Sequence, residues 1–267
     1  MRLLVTGAGG GIGGAVARLA TARYEGAVIA LVDRDKSLLD ETAQAVTAGG
    51  GRPVVVQSDL STVEGPAEAV RAAEQELGGI DALVSNAGLG GGGPLHSLDV
   101  ESWDQVFAVN TRATWLLAKA AYPALVASRG SVVATTSISA RHPTPPMGAY
   151  SPSKAALLML VKQLALEWGP DGVRVNAVAP GPTDTGLTFA AFGNAADEAA
   201  VENRRYRESL IPMRRIGHPD DVAEAVLWLS GPGAAQVTGN EITVDGGLSQ
   251  ALMPVTGGGS GHQRGRS

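Results

Sequence analysis

The sequence predicts an α/β fold in which a parallel sheet carries helices on both faces. Three observations support this. Short apolar runs of strand length alternate with longer helical runs from Leu3 to Val244, the pattern of successive strand-helix-strand units. The first strand passes into the first helix through a glycine-rich turn, which lets a backbone approach a phosphate closely. At 267 residues the chain suits one large domain, long enough to bury roughly three quarters of its unfolded surface.

Leu3-Leu4-Val5 reads as a short buried strand, ending in Thr6-Gly7-Ala8-Gly9-Gly10-Gly11-Ile12-Gly13 before the helical run Ala15 to Ala20. A turn of this kind aims a helix N-terminus at a pyrophosphate. Two glycine registers fit. Gly9-x-Gly11-x-x-Gly14 matches the dinucleotide fingerprint, whereas Thr6-Gly7-x-x-x-Gly11-x-Gly13 puts its first glycine at the strand's end and is preferred. The second strand, Ala27 to Val32, ends at Asp33. A carboxylate there can accept hydrogen bonds from both ribose hydroxyls and repels a 2′-phosphate, which favours NAD over NADP. Arg34 follows directly and works against that preference.

A helix over Ser37 to Ala48, a strand over Pro53 to Gln57 and a helix from Val63 to Leu77 come next. Asp59, with Leu60, sits between the last two, where its carboxylate can receive an adenine amino group or cap the helix. The strand Asp81 to Ser85 leads to Asn86-Ala87-Gly88, small residues that let backbone lie against a nucleotide. Gly90 to Gly93 read as a mobile connection. One helical stretch is expected from Leu98 to Ala127, with Asn110 a polar residue in a buried pattern. Ser131 to Thr136 form a strand that delivers Ser137 to its carboxyl end, where ligands bind in open parallel sheets. Val173 to Ala179 form another, ending in Pro180-Gly181-Pro182-Thr183-Asp184-Thr185. Residues 186–217 read as irregular, a lid or binding loop. A helix begins at Pro219, Glu241 to Val244 form the final strand, and 254–267 read as a disordered glycine-rich tail. The catalytic domain is thus expected to span 1–253.

With 44% apolar residues, a net charge of −5 and no long block of like charge, neither a nucleic-acid binder nor a polybasic membrane surface is expected. The chain has no cysteine, which excludes disulfides and thiol metal sites. His96, His142, His218 and His262 lack paired ligand spacing, so no metal centre is expected. Met1-Arg2-Leu3-Leu4-Val5 is too short for a signal segment, and no stretch reaches the roughly 20 apolar residues of a membrane span. The expectation is a soluble, cytoplasmic protein.

The chemistry centres on Tyr150 and Lys154, four apart and so on one helix face. Pro152 confines the helix start to the region from Pro146 to Ser151. The pair can be an ordinary contact on a solvated helix. It can also be an acid/base: shifting a phenol from about 10 to near neutrality takes about 4 kcal/mol. A cation about 5 Å away at an effective dielectric of about 20 contributes roughly 3 kcal/mol. The following run, Ala155 to Val161, is apolar nearly all round and must be covered by the core or a partner.

Together, the Thr6 to Gly13 turn, Asp59-Leu60, Asn86-Ala87-Gly88, Asn110, Ser137, Tyr150-x-x-x-Lys154 and Pro180-Gly181 resemble the short-chain dehydrogenase/reductase family over residues 2 to 250, in its compact single-domain branch. The resemblance implies a Rossmann-like sheet of seven strands and a homotetramer, or a homodimer. It casts Tyr150 as acid/base and Lys154 as the group that lowers its pKa and holds the nicotinamide ribose. Ser137 would bond the reacting oxygen, and Asn110 would fix a water joining Lys154 to solvent. Thr183 and Thr185 would orient the carboxamide. Gly7, Gly11, Ile12, Gly13, Asp33, Arg34, Asp59, Leu60, Asn86, Ala87, Gly88, Pro180 and Gly181 would complete the cofactor cleft. His142, Met147, Pro182 and the 186–217 segment would line the substrate pocket.

The leading expectation is an NAD-dependent oxidoreductase interconverting a secondary alcohol and a ketone. One alternative is an NADPH-dependent 3-oxoacyl (carrier-protein-type) or polyketide ketoreductase, against which Asp33 and the absence of a basic cluster around Arg129 count. Another is a non-catalytic NAD-binding regulator.

Overall fold

The computed structural model describes residues 1–251, so the expected tail, 254–267, lies outside the described residues. In chain order the elements are β1 (Arg2–Thr6), α1 (Gly11–Arg23), β2 (Val28–Asp33), α2 (Lys36–Ala48), β3 (Arg52–Gln57), α3 (Gly65–Leu77), β4 (Ala82–Ser85), α4 (Val100–Phe107), α5 (Ala113–Ser128), β5 (Ser131–Thr135), α6 (Tyr150–Trp168), β6 (Arg174–Pro180), α7 (Glu198–Leu210), α8 (Pro219–Ser230) and β7 (Glu241–Val244). The seven strands form one parallel sheet in the order β3-β2-β1-β4-β5-β6-β7, the expected Rossmann-like topology. β1 pairs with β2 on one side (Leu3 opposite Ile29) and β4 on the other (Leu4 opposite Leu83). The strand order reverses there, and the carboxyl ends of β1 and β4 open a crevice.

Alternate strand residues feed two cores. Leu3, Val5, Ile29 and Leu31 pack with Val16, Leu39 and Val226 of α1, α2 and α8. Leu4, Ala30, Val32 and Leu83 pack on the other face with Val70, Leu117 and Leu157 of α3, α5 and α6. The inner strands are buried on both faces, which makes the sheet a rigid platform for the loops at its carboxyl edge.

The expected helical stretch from Leu98 to Ala127 runs unbroken from Val100 to Ser128, with a π-helical turn, Ala108–Arg112, between α4 and α5. The turn places Asn110 so that its side chain bonds Leu89 and Ser153. One expectation needs correction: 186–217 is not irregular throughout. It contains a π turn (Phe189–Gly193) and the helix α7. That helix is polar nearly all round, with Ala200 its one buried residue, so it carries no apolar stripe for a periodicity reading to find. It is held by the Asp197 cap, by the pair Arg204–Glu208 one turn apart (3.0 Å), and by Arg204 gripping Asp184 through two hydrogen bonds of 2.7 and 2.9 Å. Among the described residues no helix is long and apolar enough to cross a membrane.

Candidate active site

The glycine turn explains the first wall of the crevice. Gly7 has φ +63°, and a side-chain carbon there would come within 2.9 Å of Ala87. One on Gly13 would sit 2.1 Å from the Gly7 carbonyl oxygen. Gly11 also has positive φ, whereas Gly14 meets nothing closer than 3.6 Å. The packing therefore demands glycine in the register Gly7, Gly11, Gly13. Ile12 continues the turn into α1, whose first-turn N–H groups, left unbonded within the helix, can receive an anion.

Asn86 sews the switch point together. Its backbone N–H donates to Thr6 Oγ1 (3.0 Å), its amide nitrogen to Thr6 O (3.2 Å), and its amide oxygen accepts from Thr135 Oγ1 (3.0 Å). Ala87 N–H shares Thr6 Oγ1 (3.1 Å). Thr6 and Thr135, which sequence reasoning did not single out as site residues, are the hubs that bind β1, β4 and β5 at their carboxyl ends. Their position at strand ends was the available signal.

Asp33 closes the crevice at the end of β2. One carboxylate oxygen accepts from Gly9 N–H (3.1 Å) and the other from Asp35 N–H (3.2 Å), so each oxygen keeps a lone pair for a further donor. Beyond it lies a cavity of about 310 Å³ walled by Asp33, Arg34, Asp35, Asp59, Leu60 and Leu38, among others. Ser61 N–H donates to Asp59 at 2.8 Å and, with a smaller contribution from Arg34, holds its carboxyl below the ordinary value. Asp59 does not cap α3, whose N-cap is Glu64. Leu38, half exposed and absent from the sequence-based set, walls both this cavity and its neighbour.

The neighbouring cavity, about 330 Å³, runs from Gly7, Ile12 and Asp33 past Asn86, Ala87 and Gly88 to Ser137, Tyr150 and Lys154, and is roofed by Pro180, Gly181, Thr183, Thr185 and Leu187. Thr183 Oγ1 donates to Gly181 O (3.0 Å), and the Thr185 side chain lies over Gly11. His142, Met147 and Pro182 are not among the lining residues.

Tyr150 is the first residue of α6, and Lys154 one turn later sets its Nζ 5.9 Å from the phenol ring centre. Nζ donates to Thr135 O (2.8 Å), and burial pushes its pKa down to about 8. Burial also pushes the Tyr150 phenol up, opposed by the Ser137 hydroxyl. The protein groups thus raise the phenol rather than acidify it, because Tyr150 and Lys154 are both withdrawn from water. Ser137 Oγ accepts from Ser139 N–H (3.1 Å), which leaves its own proton to be given on the cleft side, where the Tyr150 phenol lies within its reach.

Asn110, 1% exposed, is bonded within the protein: its oxygen accepts from Leu89 N–H (2.8 Å) and keeps one lone pair, and its nitrogen donates to Leu89 O (3.1 Å) and Ser153 Oγ (3.0 Å). Ser153 Oγ in turn donates to Tyr150 O (2.7 Å). The amide ties the π turn to the first turn of α6. The glycine run is not a loose connection either. A side-chain carbon on Gly91 would sit 1.8 Å from Met147 O and 2.5 Å from Tyr150 N, and Ala149 N–H donates to Gly91 O (3.3 Å). Backbone packs directly against the start of α6.

Among the described residues no group of His, Asp or Glu is placed to hold a metal. The residues do fit a dinucleotide. Gly7 and Gly13 leave a cradle that a Cβ would fill, and the two cavities share Gly7, Asp33, Leu38, Ala87 and Gly88 as common walls.

Residues 7–249 match the family model described as enoyl-(acyl carrier protein) reductase. The chain is 36% identical over 249 residues to 2-(S)-hydroxypropyl-CoM dehydrogenase 3 of Xanthobacter autotrophicus, covering 92% of this chain and 96% of that protein. It is 36% identical over 226 residues to a protein of the same organism named inactive 2-(S)-hydroxypropyl-CoM dehydrogenase 2, covering 84% and 96%. Among solved structures it superimposes with a TM-score of 0.81 on 3-ketoacyl-(acyl-carrier-protein) reductase from Brucella melitensis complexed with NADH, at 30% identity over 93% of this chain and 98% of that one.

Proposed function

The chain belongs to the short-chain dehydrogenase/reductase family, and on that premise we propose that it interconverts a secondary alcohol and a ketone with NAD, Tyr150 serving as acid and base. It is an oxidoreductase of CH–OH groups, and the family binds a nicotinamide cofactor. The observation that carries the finer reading is the convergence of Ser137, Tyr150 and Lys154 on one end of a cleft whose other end holds Asp33.

When bound, the cofactor supplies the hydride acceptor for oxidation or donor for reduction and, when oxidised, a positive ring charge. Asp33 accepts the adenosine ribose hydroxyls, while Asp59 takes the adenine end beside Leu60. Arg34 is the one cation against Asp33, Asp35 and Asp59 among the described residues lining that cavity, a balance that disfavours a 2′-phosphate. Gly11, Ile12 and Gly13 would face the pyrophosphate. Asn86, Ala87 and Gly88 would line the nicotinamide side, and Pro180, Gly181, Thr183 and Thr185 would cover it. Lys154 would hold the ribose. Ser137 donates its free proton to the reacting oxygen and so stabilises alkoxide character. Tyr150 takes the alcohol proton in oxidation and returns it in reduction. Because burial raises the phenol, it holds its proton well in the reducing direction. The oxidising direction draws on positive charge from Lys154 and the cofactor together.

Exposed Met159 and Leu166 on α6 and Trp115 on α5 support self-association as a homotetramer or homodimer, with 1–253 as the catalytic domain. One relative bears the name of an inactive dehydrogenase; the intact Asn110, Ser137, Tyr150 and Lys154 favour catalysis here. The likeness to a 3-ketoacyl-(acyl-carrier-protein) reductase favours a second reading, reduction of carrier-bound 3-oxoacyl chains. Rates with NAD and NADP on secondary alcohols, and with NADH and NADPH on ketones and 3-oxoacyl thioesters, separate the two. Tyr150→Phe is expected to bind NADH as the parent does while losing nearly all turnover. Retention of the parental rate removes Tyr150 from the chemistry.

A further inference from the structure

Glu241 opens the edge strand β7, and its side chain is 1% exposed. A carboxylate is withdrawn from water only when its oxygens are paired. The partners of this one lie on the segment that leaves β5, 105 and 100 positions away in the chain. Oε1 accepts from Thr136 Oγ1 at 2.6 Å, and Oε2 accepts from Arg141 Nε at 2.7 Å. Thr136 Oγ1 also stands 3.0 Å from Val178 O, but a hydroxyl has one proton, and the shorter bond to the charged acceptor takes it.

Ser137 lies between those two partners. β5 ends at Thr135, and the last sheet-like bond is from Thr136 N–H to Val178 O (2.8 Å). Past it, the turn has internal bonds, such as Ser139 N–H to Ser137 Oγ (3.1 Å) and Ala140 N–H to Ser137 O (2.9 Å), and a link toward α6 through Ser139 Oγ and Thr144 Oγ1 (2.9 Å) and from Thr144 N–H to Ser151 Oγ (3.2 Å). These shape the turn without fixing it to the sheet. The Glu241 carboxylate does fix it, at both ends.

We propose that Glu241 is a positioning residue for Ser137, its carboxylate clasping Thr136 and Arg141 so that the Ser137 hydroxyl is held toward the reacting oxygen. The inference rests on the role given to Ser137 under the proposed function. A leucine cannot replace the clasp, since it offers neither partner an acceptor, whereas a glutamine keeps both contacts, its oxygen accepting from Arg141 Nε–H and its NH2 donating to Thr136 Oγ1 as that hydroxyl donates to Val178 O.

The test is a double-mutant cycle on kcat: wild type, Glu241→Leu, Ser137→Ala and the double variant, with near-UV circular dichroism to confirm folding. A displacement of the hydroxyl on the 1 Å scale is expected to lower kcat by about 10- to 100-fold, with KM for NAD unchanged. In the Ser137→Ala background the same substitution is expected to change kcat less than about twofold, since coupled residues are non-additive. Thr136→Val, which releases the other end, is to show the same coupling and carries the cycle if Glu241→Leu does not fold. An equal loss in both backgrounds, or no loss in either, overturns the proposal. If Ser137→Ala alone keeps the parental kcat, the assignment of Ser137 fails first, a result distinct from failure of the clasp.

Discussion

Lys154→Met is expected to make the protein more stable at neutral pH while abolishing turnover. Burial lowers the lysine from 10.5 to about 8 in the folded protein, a difference of about 2.5 units or about 3 kcal/mol. Between those two values the unfolded chain holds a proton that the folded chain has lost. Stability therefore rises with pH across this window, and below about 8 the full penalty of burying the charge is present. Methionine fills the same length without charge. It leaves Thr135 O without the 2.8 Å donor, a loss of about 1–2 kcal/mol. The net expectation at pH 7 is a gain of about 1–2 kcal/mol for the variant. Near pH 10.5 the wild type recovers about 3 kcal/mol and the difference changes sign. Urea unfolding of cofactor-free protein, followed by tryptophan fluorescence at fixed protein concentration from pH 7 to 10, reads both quantities. A stability difference that does not vary with pH, or a variant clearly less stable than wild type at pH 7, refutes the electrostatic reasoning.

Asp33→Ala removes the ribose acceptor and the partner of Gly9 N–H; KM for NAD is expected to rise about tenfold while the NADP/NAD preference shifts by at least as much, measured by initial rates with both cofactors. Gly91→Ala drives a methyl into Met147 O and Tyr150 N and is expected to lower kcat more than about tenfold by displacing the phenol. Gly93→Ala, which meets nothing within 4 Å, is the matched control with unchanged kcat.

The elements that could be read in the sequence are those whose cause is local. The glycine register follows from steric demands at a strand end, and the structure shows the collisions that impose it at Gly7 and Gly13. Tyr150 and Lys154 share a face because the helix period places residues four apart together. The helix α7 escaped detection because its stability comes from a cap and from ion pairs, one of them to Asp184 outside the helix, and none of this writes an apolar period. The π turn at Asn110 depends on partners at Leu89 and Ser153, which a one-dimensional pattern does not place.

Order and spacing along the chain thus determined the alternation of strands and helices, the nucleotide-facing turn and the tyrosine-lysine pair. Only the tertiary structure decided that Gly91 bears on Tyr150, that burial raises the phenol and lowers the lysine, and that Glu241 reaches Thr136 across 105 positions. Those relations depend on which strands lie side by side and on how much water reaches each group. Both are fixed by the packing of the whole sheet and its two helical layers, not by the identity of any one segment.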